Sequence, residues 1–296
     1  GGQMIAELES LHRAGWSGQV FFVDDNFIGH RTHLKRDLLP GLIEWRKRRK
    51  GFQFFTEAGI NLADDGELMR MMVEAGFTSV FVGIETPDSA GLEEAHKNQN
   101  RNRDLCADVR HIQERGMEVQ AGFILGFDSD RPAIFTQMAD FIQKSGIAVA
   151  MVGLLQAPVG TRLYQRLKSA GRVLGPITGD NVDGSTNIIP KMGLEHLKKG
   201  YRSLLDTIYS PARFYERARD FLRQYPGKKI AASIKPEEIG ALLKTIYYIG
   251  IRGEERLQYW RLMIWTLLRR PKLLPEAVTL SIYGYQFRKV CEDLHL

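Results

Sequence analysis

Two carboxylates and an amide, Asp24, Asp25 and Asn26, stand directly after the apolar run Val20-Phe21-Phe22-Val23. Residues of these types at a strand tip gather acceptor oxygens in one place, and taken alone they suit a divalent cation. An ordinary turn also favours Asp and Asn, which hydrogen-bond their own backbone. The same order, apolar run first and polar tip second, returns along the chain. Phe52 to Thr56 leads to Glu57 and Asn61, Thr78 to Ile84 leads to Glu85 and Thr86, Glu118 to Phe127 leads to Asp128, and Ala148 to Leu155 leads to Gln156. The polar tips mark one end of a set of strands as the working end.

Bringing those tips together requires elements between the strands. Four helical patterns close on glycine, at Gly15, Gly76, Gly116 and Gly146, each followed by an apolar residue. Glycine takes the left-handed conformation past a helix end without steric cost, so each closure reads as a helix-to-strand turn. Helices are expected over Thr32 to Lys50, Asp65 to Ala75, Asn102 to Arg115 and Arg131 to Lys144, with strands over Gln19 to Phe27, Phe52 to Thr56, Thr78 to Glu85, Glu118 to Phe127 and Ala148 to Leu155. Continuous apolar runs are the mark of parallel strands buried on both faces, and strict alternation with short turns implies right-handed crossovers. A (β/α) barrel and an open doubly wound sheet both satisfy this pattern. A barrel gathers every C-terminal strand end at one mouth, whereas an open sheet uses one or two. Five distinctive tips therefore favour an α/β fold of the TIM-barrel type, although five strands do not close the usual ring.

From Arg162 the pattern changes. A helix over Leu163 to Gly171 and a loop over 175 to 187, rich in Gly, Asp, Thr and Asn, lead into helices alone. These are expected over Leu194 to Tyr209, from Ser210-Pro211 through Arg223, from Pro236, over Glu254 to Arg269 and over Pro275 to Leu294. The last ones are aromatic, with Tyr247, Tyr248, Tyr259, Trp260, Trp265 and Tyr283. None contains the roughly 18 uninterrupted apolar residues of a spanning segment.

Composition sets the outer limits. At 296 residues with 44% hydrophobic and 26% charged residues, the chain has the balance of a soluble globular protein and excludes a disordered one. A net charge of +6 would permit an anionic partner, but the basic residues are dispersed over expected helix faces. The densest run, Arg46-Lys47-Arg48-Arg49-Lys50, suits the C-terminal dipole of a helix, so nucleic acid is not the expected partner. Cys106 and Cys291 lie too far apart for a cysteine-rich metal site or a disulfide framework, which points to a reducing, cytoplasmic setting. The start, Gly1-Gly2-Gln3-Met4, passes at once into an amphipathic pattern, without a secretory leader, and reads as cut from something longer.

Five segments, in order and spacing, resemble the radical S-adenosylmethionine superfamily, in the class with a cobalamin-binding domain before the barrel and a helical extension after it. They are Phe22-Val23-Asp24-Asp25-Asn26-Phe27, Thr56-Glu57-Ala58, Phe81-Val82-Gly83-Ile84-Glu85-Thr86, Ala121-Gly122-Phe123-Ile124-Leu125-Gly126-Phe127, and Pro158-Val159-Gly160-Thr161-Arg162-Leu163-Tyr164. The resemblance implies a partial (β/α) barrel with about five of six strands present over residues 1–165, and an all-helical extension over 166–296. S-adenosylmethionine would lie across the strand ends and chelate one iron of a four-iron, four-sulfur cluster. Asp24, Asp25 and Asn26 match the motif that holds its methionyl ammonium, for which carboxylates are natural acceptors. Glu85 matches an acid directed at the ribose hydroxyls or the amino acid portion, and Glu57 is the neighbouring tip, equally suited to pairing with an arginine. Gly122, Ile124 and Gly126 match the strand beside adenine, where missing side chains permit close approach; tight strand packing would use the same glycines.

One departure stands against these matches. The family's cluster is held by a C-x-x-x-C-x-x-C loop, and neither that loop nor the strand before it is in this sequence; Cys106 and Cys291 do not replace a closely spaced triad. The cluster ligands and the cobalamin domain are thus expected outside this chain, which alone would not cleave S-adenosylmethionine. For the whole protein the resemblance implies radical-based methyl transfer from methylcobalamin to an unactivated carbon of a small or lipid-like substrate, with a reductant protein serving the cluster. The aromatic helices would cover the barrel mouth, form a surface for a lipid-like substrate or a peripheral membrane contact, or simply pack on one another and on the barrel. The alternatives are a radical enzyme of sulfur-insertion or RNA-modifying type, and a cluster-free barrel used as a binding or scaffold protein.

Overall fold

A computed structural model describes residues 1–180, 183–227 and 236–293. The four glycines expected to end helices all adopt left-handed backbone, with φ of 87° at Gly15, 108° at Gly76, 104° at Gly116 and 76° at Gly146. After α1 (Gly2–Arg13), each helix returns the chain to a strand: β1 (Gln19–Phe22), α2 (residues 31–48, with a π-helical stretch over Leu34–Leu38), β2 (Gln53–Glu57), α3 (Gly66–Ala75), β3 (Phe77–Glu85), α4 (Leu105–Glu114), β4 (Glu118–Leu125), α5 (Ile134–Ser145) and β5 (Ala150–Leu154). Asp65 and Asp104 open α3 and α4 by accepting from the amides of Leu68 and Ala107, each at 3.0 Å, which trims the expected start of α4 from Asn102 to Leu105.

The five strands form one sheet in the order β1-β2-β3-β4-β5, every pair parallel. Sequential order with parallel pairing is barrel winding, since each crossover steps one strand in the same direction and leaves its helix on the same side. An open doubly wound sheet would reverse its order once. The α/β arc and its helical C-terminal part are thus as expected, while strand lengths differ. β1 stops at Phe22 instead of Phe27, because its last partner is Thr56 and the chain then turns, Asp24 N–H donating to the Phe22 carbonyl at 3.0 Å. β4 stops at Leu125 because Gly126 (φ 106°) turns out of the sheet.

Burial on both faces, expected from the continuous apolar runs, is not what the described chain shows. Apart from the start of β3, where Phe77 to Val80 are all buried, burial alternates along the strands: in β4, Val119, Ala121, Phe123 and Leu125 are buried under the helices, while Gln120, Gly122 and Ile124 stay partly exposed. The same holds in β2, where Phe54 is wholly buried and Phe55 is not. The run is apolar on both sides because both sides are inward in a barrel, but only the helix side is filled by this chain.

The helical part continues with α6 (Arg162–Ser169), α7 (Leu194–Ile208), α8 (Pro211–Gln224), α9 (residues 236–251, π-helical at its end), α10 (Arg256–Arg269) and α11 (Leu274–Asp293). One hydrophobic core runs through both parts, from Leu39 and Val82 to Tyr201, Phe221 and Tyr259. α7 also closes one edge of the sheet. The Tyr209 hydroxyl donates to the Ala150 carbonyl at 2.7 Å and accepts from its amide at 3.3 Å, and the Tyr201 hydroxyl donates to the Val152 carbonyl at 3.0 Å. These phenols occupy backbone groups that an edge strand otherwise leaves unpaired. No helix among the described residues is long and apolar enough to cross a membrane.

Candidate functional site

The partly exposed face of the sheet carries the residues singled out from the sequence. Strand register sets its rows: Phe21 beside Phe55, Glu57 beside Phe81, Phe81 beside Gln120, Gly83 beside Gly122, Gly122 beside Met151, and Ile124 beside Gly153. Phe21 and Phe55 stack with ring centroids 4.9 Å apart. The paired glycines make a low floor in the middle. A Cβ at Gly122 would meet the Phe81 ring at 3.0 Å, and one at Gly83 would meet Glu85 Oε1 at 2.6 Å and Lys97 Nζ at 3.0 Å. Glycine at these positions lets an aromatic ring and an ion pair lie down against the backbone.

Glu85 closes β3 in left-handed backbone, φ 67°, a conformation that costs a residue with a Cβ about 1 kcal/mol or more. A register shift between Gly83 and Glu85 accompanies it. Two contacts hold the strained tip. Asn100, from the loop before α4, donates to the carbonyls of Gly83 at 3.0 Å and Ile84 at 3.1 Å, and Lys97 pairs with Glu85 at 2.8 Å. The Glu85 carboxylate is thereby aimed across the glycine floor and remains partly accessible. Lys97 and Asn100 carried no signal in the sequence, since they sit at a single 3-10 turn, Asn98–Asn100, and matter only through where the fold brings them.

Asp24, Asp25 and Asn26 form the tip beyond β1. Asn26 Oδ1 accepts from the amide of Gly59 at 3.2 Å, joining this tip to the one beyond Glu57. The Asp24 and Asp25 side chains are exposed, and Asp24 borders a recess of about 400 Å³ shared with Met4, Glu7 and His30. Glu57 is half-buried at the end of β2; the arginine near this mouth, Arg31, is engaged elsewhere, donating to the Asn61 carbonyl at 2.9 Å. Asn61 Oδ1 is buried without a partner beside Gly59, an unused acceptor between the first two tips.

Gly126 belongs to a different arrangement. Its left-handed turn is set by Asp130, whose Oδ2 accepts from the amides of Gly126 at 2.8 Å and Phe127 at 3.1 Å, and a Cβ there would meet Leu197 of α7 at 3.1 Å. Burial pushes the Asp130 carboxyl up to about 6, against those two amides, and Asp88 and Glu94 add to the rise. Next to it the Asp128 carboxyl is held below its ordinary range by Arg172 at 2.6 Å, with Arg166 at 2.8 Å. These arginines tie the β4 tip to α6 and the loop after it. Sequence reasoning missed Asp130, Arg166 and Arg172 as supports of that tip.

The acceptors on this face fit a ligand that carries an ammonium, hydroxyls and a flat ring: carboxylates without a partner among the described residues at one tip, a third carboxylate at the bulge, and a low glycine floor. They do not fit an iron–sulfur cluster. Cys106 is on α4 and Cys291 on α11, burial raises the pKa of both thiols, and no group of three His, Cys, Asp or Glu among the described residues is arranged to hold a metal ion.

Comparison with known proteins extends this picture. A model described as a domain of unknown function (DUF4070) matches residues 161–295. The chain is 35% identical over 291 residues to an uncharacterized methyltransferase of Synechocystis sp., an alignment covering 96% of this chain and 54% of that protein. It is 35% identical over 278 residues to the hopanoid C-2 methylase of Rhodopseudomonas palustris, covering 90% of this chain and 51% of that protein. The chain thus spans about half the length of the curated relatives it matches. Among solved structures, the radical S-adenosylmethionine methyltransferase TsrM of Kitasatospora setae, with tryptophan substrate and a S-adenosylmethionine analogue bound, aligns with a TM-score of 0.49 at 17% identity, over 72% of this chain and 45% of that one.

Proposed function

We propose that this chain, 35% identical to an uncharacterized methyltransferase and to a hopanoid C-2 methylase, is part of a radical S-adenosylmethionine methyltransferase of the cobalamin-binding class, and that it supplies the wall of the barrel against which S-adenosylmethionine lies, in a protein that methylates an unactivated carbon of a small or lipid-like substrate. The observation that carries this reading is the tip of β3. Glu85 is strained, paired with Lys97 and pinned by Asn100 on the open face beside Gly83 and Gly122. Strain of this kind persists where the surrounding structure over-determines it, as binding sites do.

In this reading Asp24, Asp25 and Asn26 accept from the methionyl ammonium, Glu85 accepts from the ribose hydroxyls, and Glu57 lines the space between them. Gly122 and Ile124 give the adenine a flat bed, and Gly126 with Asp130 fixes where that bed ends. When bound, S-adenosylmethionine would supply, on reductive cleavage to methionine, the means of hydrogen abstraction, and methylcobalamin would supply the methyl group. The chain's own work is orientation. Its apolar strands exclude water from the reacting carbon, and its carboxylates hold the cofactor at both ends. The cluster ligands, the cobalamin domain and the site for a reductant protein lie in the half of the protein that this chain does not span. The lipid-like choice of substrate draws support from the relative that methylates a hopanoid.

The test is titration of S-adenosylmethionine into the full-length protein by calorimetry, alongside Asp25→Ala and Glu85→Gln variants. The expected result is a tenfold or greater loss of affinity in each, on the order of 1.4 kcal/mol. Unchanged affinity in both would return these tips to the role of ordinary turns. Iron, sulfide and cobalamin analysis of the same preparation checks the cofactors.

A further inference from the structure

α10 is a core helix with a second apolar face. Tyr259, Leu262, Met263 and Thr266 point into the protein, but Leu257, Trp260, Ile264, Leu267 and Leu268 are exposed, Leu268 to 75%. At 3.6 residues per turn these five positions fall in one stripe roughly 100° wide along the whole helix. The preceding element repeats the feature. Ile239, Leu243, Tyr247 and Ile251 in α9 are spaced four apart and all exposed, and Tyr248 stands out beside them. The two helices are joined, Trp260 Nε1–H donating to the Gly250 carbonyl at 2.9 Å. Exposed apolar groups on this scale are rare on a freely solvated protein and mark an interface.

Charge selects the partner. Between residues 239 and 272 the sequence holds seven Lys or Arg and two Glu. One of those acids, Glu255, is withdrawn into a buried pair with Arg288. Arg256 and Arg261 stand exposed on α10, one on either side of the stripe. An apolar stripe bordered by arginines, with Trp and Tyr in the boundary, is the pattern of a helix lying in the plane of a bilayer, and no described helix is of the kind that crosses one. We propose that the α9–α10 hairpin docks the protein on an anionic lipid surface, Leu257, Ile264 and Leu268 entering the acyl boundary while the arginines meet lipid phosphates. The inference deepens the lipid-like reading above, because a substrate dissolved in the membrane would be reached from that surface.

The experiment is co-sedimentation of the full-length protein with vesicles of phosphatidylcholine plus phosphatidylglycerol, and with vesicles of phosphatidylcholine alone. Binding to the mixed vesicles is expected to be at least about tenfold stronger, to weaken with salt, and to fall to background in Leu257→Glu/Ile264→Glu/Leu268→Glu. Arg256→Gln/Arg261→Gln should reduce only the preference for anionic lipid. These positions are exposed, so an unshifted melting temperature and unchanged S-adenosylmethionine affinity in the triple variant separate this result from a failure of the cofactor reading. Absence of vesicle binding overturns the proposal. So does binding that the triple variant leaves intact, binding by residues 1–296 alone but not by the full-length protein, which would show that the remaining half covers the stripe, or a dimer in solution that the triple variant dissociates.

Discussion

Phe54 and Phe55 are adjacent on one strand and have opposite fates. Phe54 faces the helices, fully buried, in ring contact with Phe22 and Phe77. Phe55 faces the other way and stacks on Phe21, itself 42% exposed. The difference runs through the sheet: the side of Val82 and Phe123 is a packed core, and the side of Phe81, Gly83 and Gly122 is a floor with strained and half-buried polar groups around it. One face is packed core, and the other carries the residues of the proposed site.

The comparison breaks most readily at the phenylalanine pair. Phe54→Ala should cost about 4 kcal/mol in urea denaturation, as large core truncations do, while Phe55→Ala should cost under about 1 kcal/mol. Similar losses would mean that the open face is as much core as the other. Next in size, Gly122→Val places methyls into the Phe81 ring and raises the glycine floor. The expected outcome is about a hundredfold weaker binding of S-adenosylmethionine by the full-length protein, with a stability change of only about 1 kcal/mol.

Asp130 gives a pH signature at the boundary between the faces. Its carboxyl is raised to about 6 in the fold from an ordinary 3.8. The folded state therefore binds the proton more tightly, so its contribution to stability is fully present below about pH 4 and is lost as pH rises through about 6. Asp130→Asn keeps an acceptor for the Gly126 and Phe127 amides and should abolish that fall, which amounts to about 2 kcal/mol once partial exposure is discounted. Urea midpoints measured between pH 4 and pH 7 for both proteins provide the check. The smallest effect is expected at the sheet edge. Tyr209→Phe removes both hydroxyl contacts to Ala150 and should lower stability by about 1 kcal/mol while speeding amide exchange at Ala150.

Much of the fold is legible in the amino-acid sequence, and for local reasons. Gly15, Gly76, Gly116 and Gly146 announce helix ends because left-handed backbone is costly for any residue with a Cβ. The apolar runs announce strands, and their order implies a parallel arc. The runs do not disclose that one face stands open, since an apolar residue awaiting a partner looks the same in sequence as one already packed. Part of the site is legible too: Asp24 to Asn26, Glu85 and Gly122 stand out by type and position. What holds them is not. Asn100 reaches Gly83 across 17 positions, Lys97 reaches Glu85 from a loop without pattern, and Arg172 reaches Asp128 across 44.

The stripe on α10 shows the same division. Its spacing lies in the sequence, but helical periodicity does not say which of two apolar faces is inside, since Tyr259 and Leu262 alternate with Leu257 and Trp260 on one helix. By itself the sequence determined the alternation of strands and helices, the glycine turns and the placing of acids at strand tips, because these follow from φ/ψ sterics and side-chain periodicity over a few residues. Only the tertiary structure decided which strand face is core, how Glu85 is held in left-handed backbone, why Gly126 is a support for Asp130 and α7, and which face of α10 meets solvent. Each of those depends on contacts between residues far apart in the chain, whose energies carry no local trace.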